Sequence, residues 1–157
     1  MRHKKVIKRQ IQPDPMYNNL LIAKLINRIM KDGKKSIAEK LVYKALDTLK
    51  QKGHDPLAIF HKALLTISPK VEIKARRVGG ANYQVPTEVS KERQSALAIR
   101  WLLEAATARP NKEFHTFDEK LVAEILDASQ EKGAAITKRN NTLRQAEANK
   151  AFAHFRW

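Results

Sequence analysis

Most of the chain carries apolar residues at intervals of three and four positions, separated by short breaks that contain glycine or proline. This spacing places the apolar side chains on one face of a helix and therefore predicts amphipathic α-helices. Five segments have such a stripe. The stripes are Ile22, Leu25, Ile26, Ile29 and Met30; Ala38, Leu41, Val42, Ala45, Leu46 and Leu49; Leu57, Phe60, Leu64 and Ile67; Leu97, Ala98, Trp101, Leu102 and Ala105; and Leu121, Val122, Ile125 and Leu126.

A sixth helical segment, Ala134 to Ala153, has a different composition. Only Ile136, Leu143 and Ala146 could form an apolar face, and most of the charged residues are Lys or Arg. A helix this polar bridges solvent, binds a partner or is only partly stable, and the sequence leaves these three readings open.

Several residues mark where the predicted helices begin. The segments Ser36 to Glu39 and Thr116 to Glu119 both have the spacing of a capping box. Asp55 followed by Pro56 is typical of an N-cap with proline at the first helical position. Before the first helix, Pro13 and Pro15 predict irregular structure.

The period of the pattern changes to two between residues 71 and 89. Apolar and polar residues alternate on both sides of a turn signal at residues 79–82, which predicts a two-stranded hairpin. Pro86 suits a strand position whose amide faces away from the partner strand. Because an isolated hairpin is marginally stable in water, we expect a partner to hold or order it.

These elements together predict a mainly α protein. We expect a single domain over residues 1–157, built as a bundle of about six helices with a protruding two-stranded β-hairpin arm at 71–89. A basic tail at 1–12 and a basic C-terminal helix and tail at 134–157 complete the chain.

The charge of the chain narrows the choice of partner. Lys and Arg number 31 against 16 Asp and Glu, for a formal charge of +15. A surplus of this size favours a polyanion, nucleic acid before an anionic membrane surface, although a merely soluble basic protein remains the plainer alternative. The first residues resemble neither a secretory signal nor a membrane span, so we expect a mature cytosolic protein or one made inside an organelle.

An enzymatic role finds no support in the pattern. Cysteine is absent, the five histidines are not at metal-ligand spacing, and Gly79-Gly80 lacks the Lys-Ser/Thr of a phosphate loop. We therefore expect no catalytic residues, no metal site and no cofactor. Tyr43 and Trp101 are interpreted as core residues, whereas Tyr83 suits a core and a contact role equally.

Two motifs resemble those of a known protein family. The segment Arg76 to Pro86, RRVGGANYQVP, and the ending Ala146 to Trp157, AEANKAFAHFRW, resemble the bacterial and organellar small-subunit ribosomal protein seven family. Pro13 to Pro15, Asp32 to Ser36 and Leu97 to Ala106 match as well. The resemblance extends along the whole chain, with small departures such as Phe155 and the Ala81-Asn82 pair.

The resemblance implies a helical bundle with a protruding hairpin that binds the 3′ major domain of small-subunit rRNA and starts assembly of the subunit head. It further implies that exit-site tRNA, the messenger exit path, and head and platform proteins are neighbours of the chain. Some bacterial members of the family also repress translation of their own messenger. The candidate rRNA-binding residues are Arg2, Lys4, Lys5, Lys8, Arg9, Lys34, Lys35, Lys74, Arg76, Arg77 and Arg109. Candidates near tRNA and messenger are Gly79, Gly80, Ala81, Asn82, Tyr83, Gln84, Arg139 and Arg144.

A second class of protein is also compatible with these features. A DNA architectural protein with a bending β-arm would also be basic, helical and hairpin-bearing. The C-terminal motif and the lack of an obvious dimer seam argue against it.

Overall fold

A computed structural model describes residues 10–155 of the chain. The five cations of the basic tail, Arg2, Lys4, Lys5, Lys8 and Arg9, lie outside the described residues. The helices are α1 (Leu20–Ile29), α2 (Lys35–Gln51), α3 (Pro56–Ile67), α4 (Lys91–Ala108), α5 (Phe117–Ser129) and α6 (Ala134–Ala148), followed by a 3-10 helix (Lys150–Phe155). The strands are β1 (Val71–Val78) and β2 (Ala81–Glu88). The predicted mainly α bundle with a hairpin is confirmed.

The core is formed where α5 packs against α2, α3 and α4. The predicted stripes face this centre, and Phe60, Leu102 and Ile125 are almost completely buried there. Fully burying a side chain of this size contributes about 1.5–3 kcal/mol relative to leaving it exposed. Trp101 is also buried, and Tyr43 packs against the edge of the core, so the expected core roles of both are confirmed.

Two of the three predicted helix starts are present. The Asp55 carboxylate accepts a hydrogen bond from the Leu57 amide at 3.0 Å. At α5, the Glu119 carboxylate reaches back to the Thr116 amide at 3.3 Å, as expected of a capping box.

The capping box at Ser36 is wrong. Helix α2 begins at Lys35, so Ser36 already lies in its first turn, and Lys34 occupies the cap position without a side-chain hydrogen bond. The reason is the preceding turn, where Asp32 and Gly33 both adopt positive φ and bring the chain into the helix earlier than the Ser-x-x-Glu spacing indicates. Glu39 instead approaches the Lys35 ammonium at 3.6 Å.

Pro13 and Pro15 lie in irregular structure, as predicted, and Asp14 between them holds this segment in place. Asp14 is only 3% exposed. Its carboxylate accepts hydrogen bonds from the amides of Met16 and Tyr17 at 3.1 and 3.0 Å, and from the Tyr43 hydroxyl at 2.7 Å. Burial and this bond to Asp14 raise the pKa of Tyr43. The contact ties the start of the described chain to α2.

The hairpin is regular and tightly turned. Its register pairs Arg77 with Asn82 and Val78 with Ala81, which leaves Gly79 and Gly80 as a two-residue turn. Both glycines have positive φ, as a turn of type I′ requires. The turn is thus narrower than the predicted segment 79–82.

The hairpin does not stand alone. Helix α6 packs against β1, and the 3-10 helix packs against β2. Val85 is fully buried, and Glu72 and Thr87 at the base are nearly so. The polar C-terminal segment of the same chain therefore covers one face of the arm. That a partner also holds or orders the arm stays a prediction.

Candidate nucleic-acid interface

The two faces of the hairpin carry different groups. Successive side chains of a strand point to opposite faces, so Glu72, Lys74 and Arg76 share one face while Arg77 lies on the other. The Lys74 ammonium is 3.0 Å from the Glu72 carboxylate. Within residues 10–155, Arg77 is exposed and its guanidinium has no ion pair, so it is the hairpin cation best placed for a phosphate.

The base of the hairpin is fixed by an ion-pair cluster around Glu72. The carboxylate accepts a hydrogen bond from Arg93 Nε of α4 at 3.3 Å, in addition to its contact with Lys74. Burial raises the pKa of Glu72, but the two cations outweigh burial and hold the pKa below its ordinary value. An ionised Glu72 therefore anchors β1 to the bundle.

The tip is open to solvent. The residues Gly79, Gly80, Ala81, Asn82 and Gln84 are exposed, and a Cβ added to either glycine would meet nothing within 4 Å. The backbone can therefore approach a nucleic-acid strand closely. Tyr83 differs from them, since it is half-buried and its ring packs against the C-terminal segment. Its contact role stays a prediction.

A second group of cations lies at the α1–α2 corner. Lys34 and Lys35 are exposed at the start of α2, and the amide of Lys35 donates to the Gly33 carbonyl at 2.8 Å. Arg28 and Lys31 join Lys34 on the rim of a cleft of about 370 Å³ that is otherwise lined mainly by apolar side chains. The exposed cations of this corner suit an anionic group.

Sequence reasoning missed part of this second group. Arg28 lies in the last turn of α1, whereas Lys31 follows the end of the helix, and both line the same cleft. Arg100 of α4 lines a neighbouring cleft together with Arg28. That pairing depends on how α1 packs against α4 and has no signal in the sequence.

Arg109 has an intramolecular role in the structure. Its guanidinium donates to the Glu124 carboxylate at 2.8 Å from Nε and 2.6 Å from Nη2, and it also contacts Asp127. Burial lowers the pKa of Arg109, but the two acids raise it further, so the net shift is upward. With its side chain 17% exposed, Arg109 has little surface left for a phosphate.

Of the two candidates on α6, one is engaged within the chain and the other is accessible. Arg139 donates to the Thr66 carbonyl and to the Asn140 side chain, which ties α6 to the end of α3. Arg144 is exposed, and no contact within residues 10–155 occupies its guanidinium. The structure thus brings Arg77 and Arg144 to the surface but engages Arg109 and Arg139 internally.

The described part of the chain contains no cluster of three or more acidic or histidine side chains that could hold a metal ion. None of its helices has the length and apolar character that crossing a membrane would demand. A helical scaffold with exposed cations on several separate elements defines a basic protein that binds polyanions.

Comparisons with known proteins make the assignment specific. The model of the ribosomal protein S7p/S5e family matches residues 1–150. The small ribosomal subunit protein uS7 of Acidiphilium cryptum is 50% identical over 159 residues, covering 99% of both chains. The proteins of the same name from Vibrio vulnificus and Caldicellulosiruptor saccharolyticus are each 54% identical, covering 99% and 97% of this chain and 99% and 96% of their own.

The chain belongs to the ribosomal protein S7p/S5e family. The resemblance drawn from the hairpin and C-terminal motifs is confirmed. The family consists of structural proteins and not enzymes. Because its members are proteins of the small ribosomal subunit, the alternative of a DNA architectural protein is wrong.

Proposed function

We propose that this chain, a structural protein of the small ribosomal subunit by family, binds the 3′ major domain of the subunit's rRNA and starts assembly of the head. The hairpin tip and the C-terminal segment would then lie near exit-site tRNA and the path by which messenger leaves. Its surroundings would be head and platform proteins of a cytoplasmic or organellar ribosome. The same cationic surface would serve repression of the chain's own messenger.

The observation that carries this proposal is the separation of the exposed cations. Arg77 lies on the hairpin, Lys34 and Lys35 at the α1–α2 corner, and Arg144 on α6, so a rigid bundle presents charge in several directions. A-form RNA hides its base edges in a deep groove, and proteins recognise it mainly through shape, phosphates and 2′-hydroxyls. Charges spread over one scaffold can contact several RNA helices that meet at a junction.

The basic tail extends this surface. Five cations and no acid lie within residues 1–10, and like charges at this density are stabilised by a polyanion. We propose that these cations clamp rRNA phosphates, so deletion of residues 1–10 should weaken RNA binding while leaving the melting temperature of the free protein unchanged. A large drop in melting temperature would contradict this assignment.

The main test is a salt titration of binding to an rRNA fragment of the 3′ major domain. Neutralising Z phosphates should give a log–log slope of roughly −0.7Z to −0.9Z, so six contacts imply about −4 to −5. A fragment of equal length from the 5′ domain is the control for non-specific charge attraction. A slope near zero, or equal affinity for the two fragments, would overturn the proposal.

A further inference from the structure

The C-terminal 3-10 helix surrounds one side chain of the hairpin with aromatic rings. The ring centroid of Tyr83 lies 5.2 Å from that of Phe152 and 5.1 Å from that of Phe155. Phe152 and Phe155 are themselves 6.4 Å apart with nearly parallel planes, and His154 lies 4.0 Å from Phe155. We call Tyr83, Phe152 and Phe155 the aromatic clamp.

The clamp lies close to the tip. Tyr83 is paired with Arg76 in the hairpin register, only three residues after Gly80. Val85, the next residue on the same face, is fully buried. Contacts near the end of a two-stranded ribbon restrict its bending and twisting more than contacts at its base, because the base is already held by the bundle.

The clamp also determines which face of the tip is open. Side chains alternate along β2, so Tyr83 and Val85 point toward the C-terminal segment while Asn82 and Gln84 point away. Arg77, paired with Asn82, shares this outer face. Covering one face with the 3-10 helix therefore leaves a polar and cationic face available.

We propose that Tyr83, Phe152 and Phe155 are positioning residues, which dock the hairpin tip on the C-terminal 3-10 helix and so fix the direction in which Arg77, Asn82 and Gln84 meet RNA. The docking itself needs only the ring contacts. Its consequence for RNA rests on the function proposed above. In this arrangement the C-terminal segment acts on RNA through the hairpin.

The size of the effect follows from the contacts. One aromatic pair changes a local opening equilibrium by roughly 2- to 13-fold, so losing both rings that contact Tyr83 corresponds to roughly 5- to 160-fold. An isolated hairpin has little stability of its own to compensate for that loss.

The docking is tested by amide hydrogen exchange of the full chain, read at residues 75–84. Tyr83→Ala should accelerate exchange there by roughly 5- to 160-fold, and Phe152→Ala by roughly 2- to 13-fold. Tyr83→Phe keeps the ring and should exchange like the parent protein. Leu143→Ala, which removes an exposed apolar side chain of α6 outside the clamp, is the matched control. Unchanged exchange in Tyr83→Ala would overturn the docking.

The consequence for RNA is tested in small subunits reconstituted with each variant, by measuring retention of exit-site tRNA. Both Phe152→Ala and Arg77→Ala should lower retention, whereas only Phe152→Ala should accelerate exchange at the tip. Faster exchange with normal retention in Phe152→Ala, while Arg77→Ala loses tRNA, would overturn the positioning role. If Arg77→Ala also retains tRNA normally, the tip assignment in the proposed function fails, and exchange still decides the docking.

Discussion

Replacement of the buried carboxylate Glu124 by glutamine should destabilise the protein, because this side chain makes contacts with two other segments. Glu124 is 1% exposed. One of its oxygens accepts two hydrogen bonds from Arg109, and the other accepts the Ala135 amide at 3.0 Å, at the start of α6. The single side chain of α5 therefore holds both the end of α4 and the beginning of α6.

The expected loss follows from these contacts. Removing one partner of a buried ion pair costs about 3–5 kcal/mol. Arg109 keeps its contact with Asp127, and glutamine keeps an oxygen for the Ala135 amide, so Glu124→Gln should cost less, ~2–3 kcal/mol. For a chain of this length that corresponds to a fall in melting temperature of roughly 4–12 °C.

Urea unfolding followed by far-ultraviolet circular dichroism measures this loss. With an m-value of about 1–3 kcal/mol/M, the midpoint should fall by roughly 0.7–3 M. Asp127→Asn is the matched control, because its side chain is 43% exposed and should change stability by less than ~1 kcal/mol. A midpoint for Glu124→Gln equal to that of the parent protein would refute the account of this ion pair.

Three further predictions concern the same scaffold and its surface. Gly133→Ala should cost at least ~2 kcal/mol in urea unfolding, because φ is +97° and the new Cβ would lie 2.8 Å from a Glu124 oxygen. Glu72→Gln should lose ~1 kcal/mol at pH 7. The folded pKa of Glu72 is lowered, so its contribution is present above the ordinary value of 4.5 and is lost as the pH falls through the folded value; parent and variant midpoints should converge once the pH lies below that folded value. Arg77→Ala should weaken rRNA binding by up to about tenfold and reduce the salt slope by about 1, with unchanged urea unfolding.

The local features of the fold could be predicted because they depend on neighbours in sequence. Helical stripes, the Asp55 cap and the two glycines of the hairpin turn all act within a few residues. The start of α2 was misplaced because the Ser36 spacing competes with a turn in which Asp32 adopts positive φ. A capping motif indicates which residues could cap a helix. The conformation of the preceding turn determines where the helix begins.

Contacts between distant segments could not be predicted in the same way. Asp14 and Tyr43 are 29 positions apart, and their hydrogen bond depends on how the N-terminal segment folds over α2. The docking of the hairpin depends on Tyr83 meeting Phe152, which lies 69 positions later and beyond three further helices. Alternation along β2 predicted that Tyr83 and Val85 share a face, but only packing determines what covers it.

Net charge alone does not show which cations form a binding surface, because some cations are exposed and others are engaged within the chain. Arg77 and Arg109 are the same residue type in a chain of charge +15, yet one is exposed and the other is engaged by two acids. The difference is not visible in composition, because it arises from where Glu124 lies after α4 and α5 have packed. Arg109 thereby helps to fix α6, and α6 carries the 3-10 helix against which Tyr83 packs. Replacing an internal cation of this kind should change RNA binding through the orientation of the hairpin. The slope of log affinity against log salt should then not fall by one unit, as it should for a cation that contacts a phosphate.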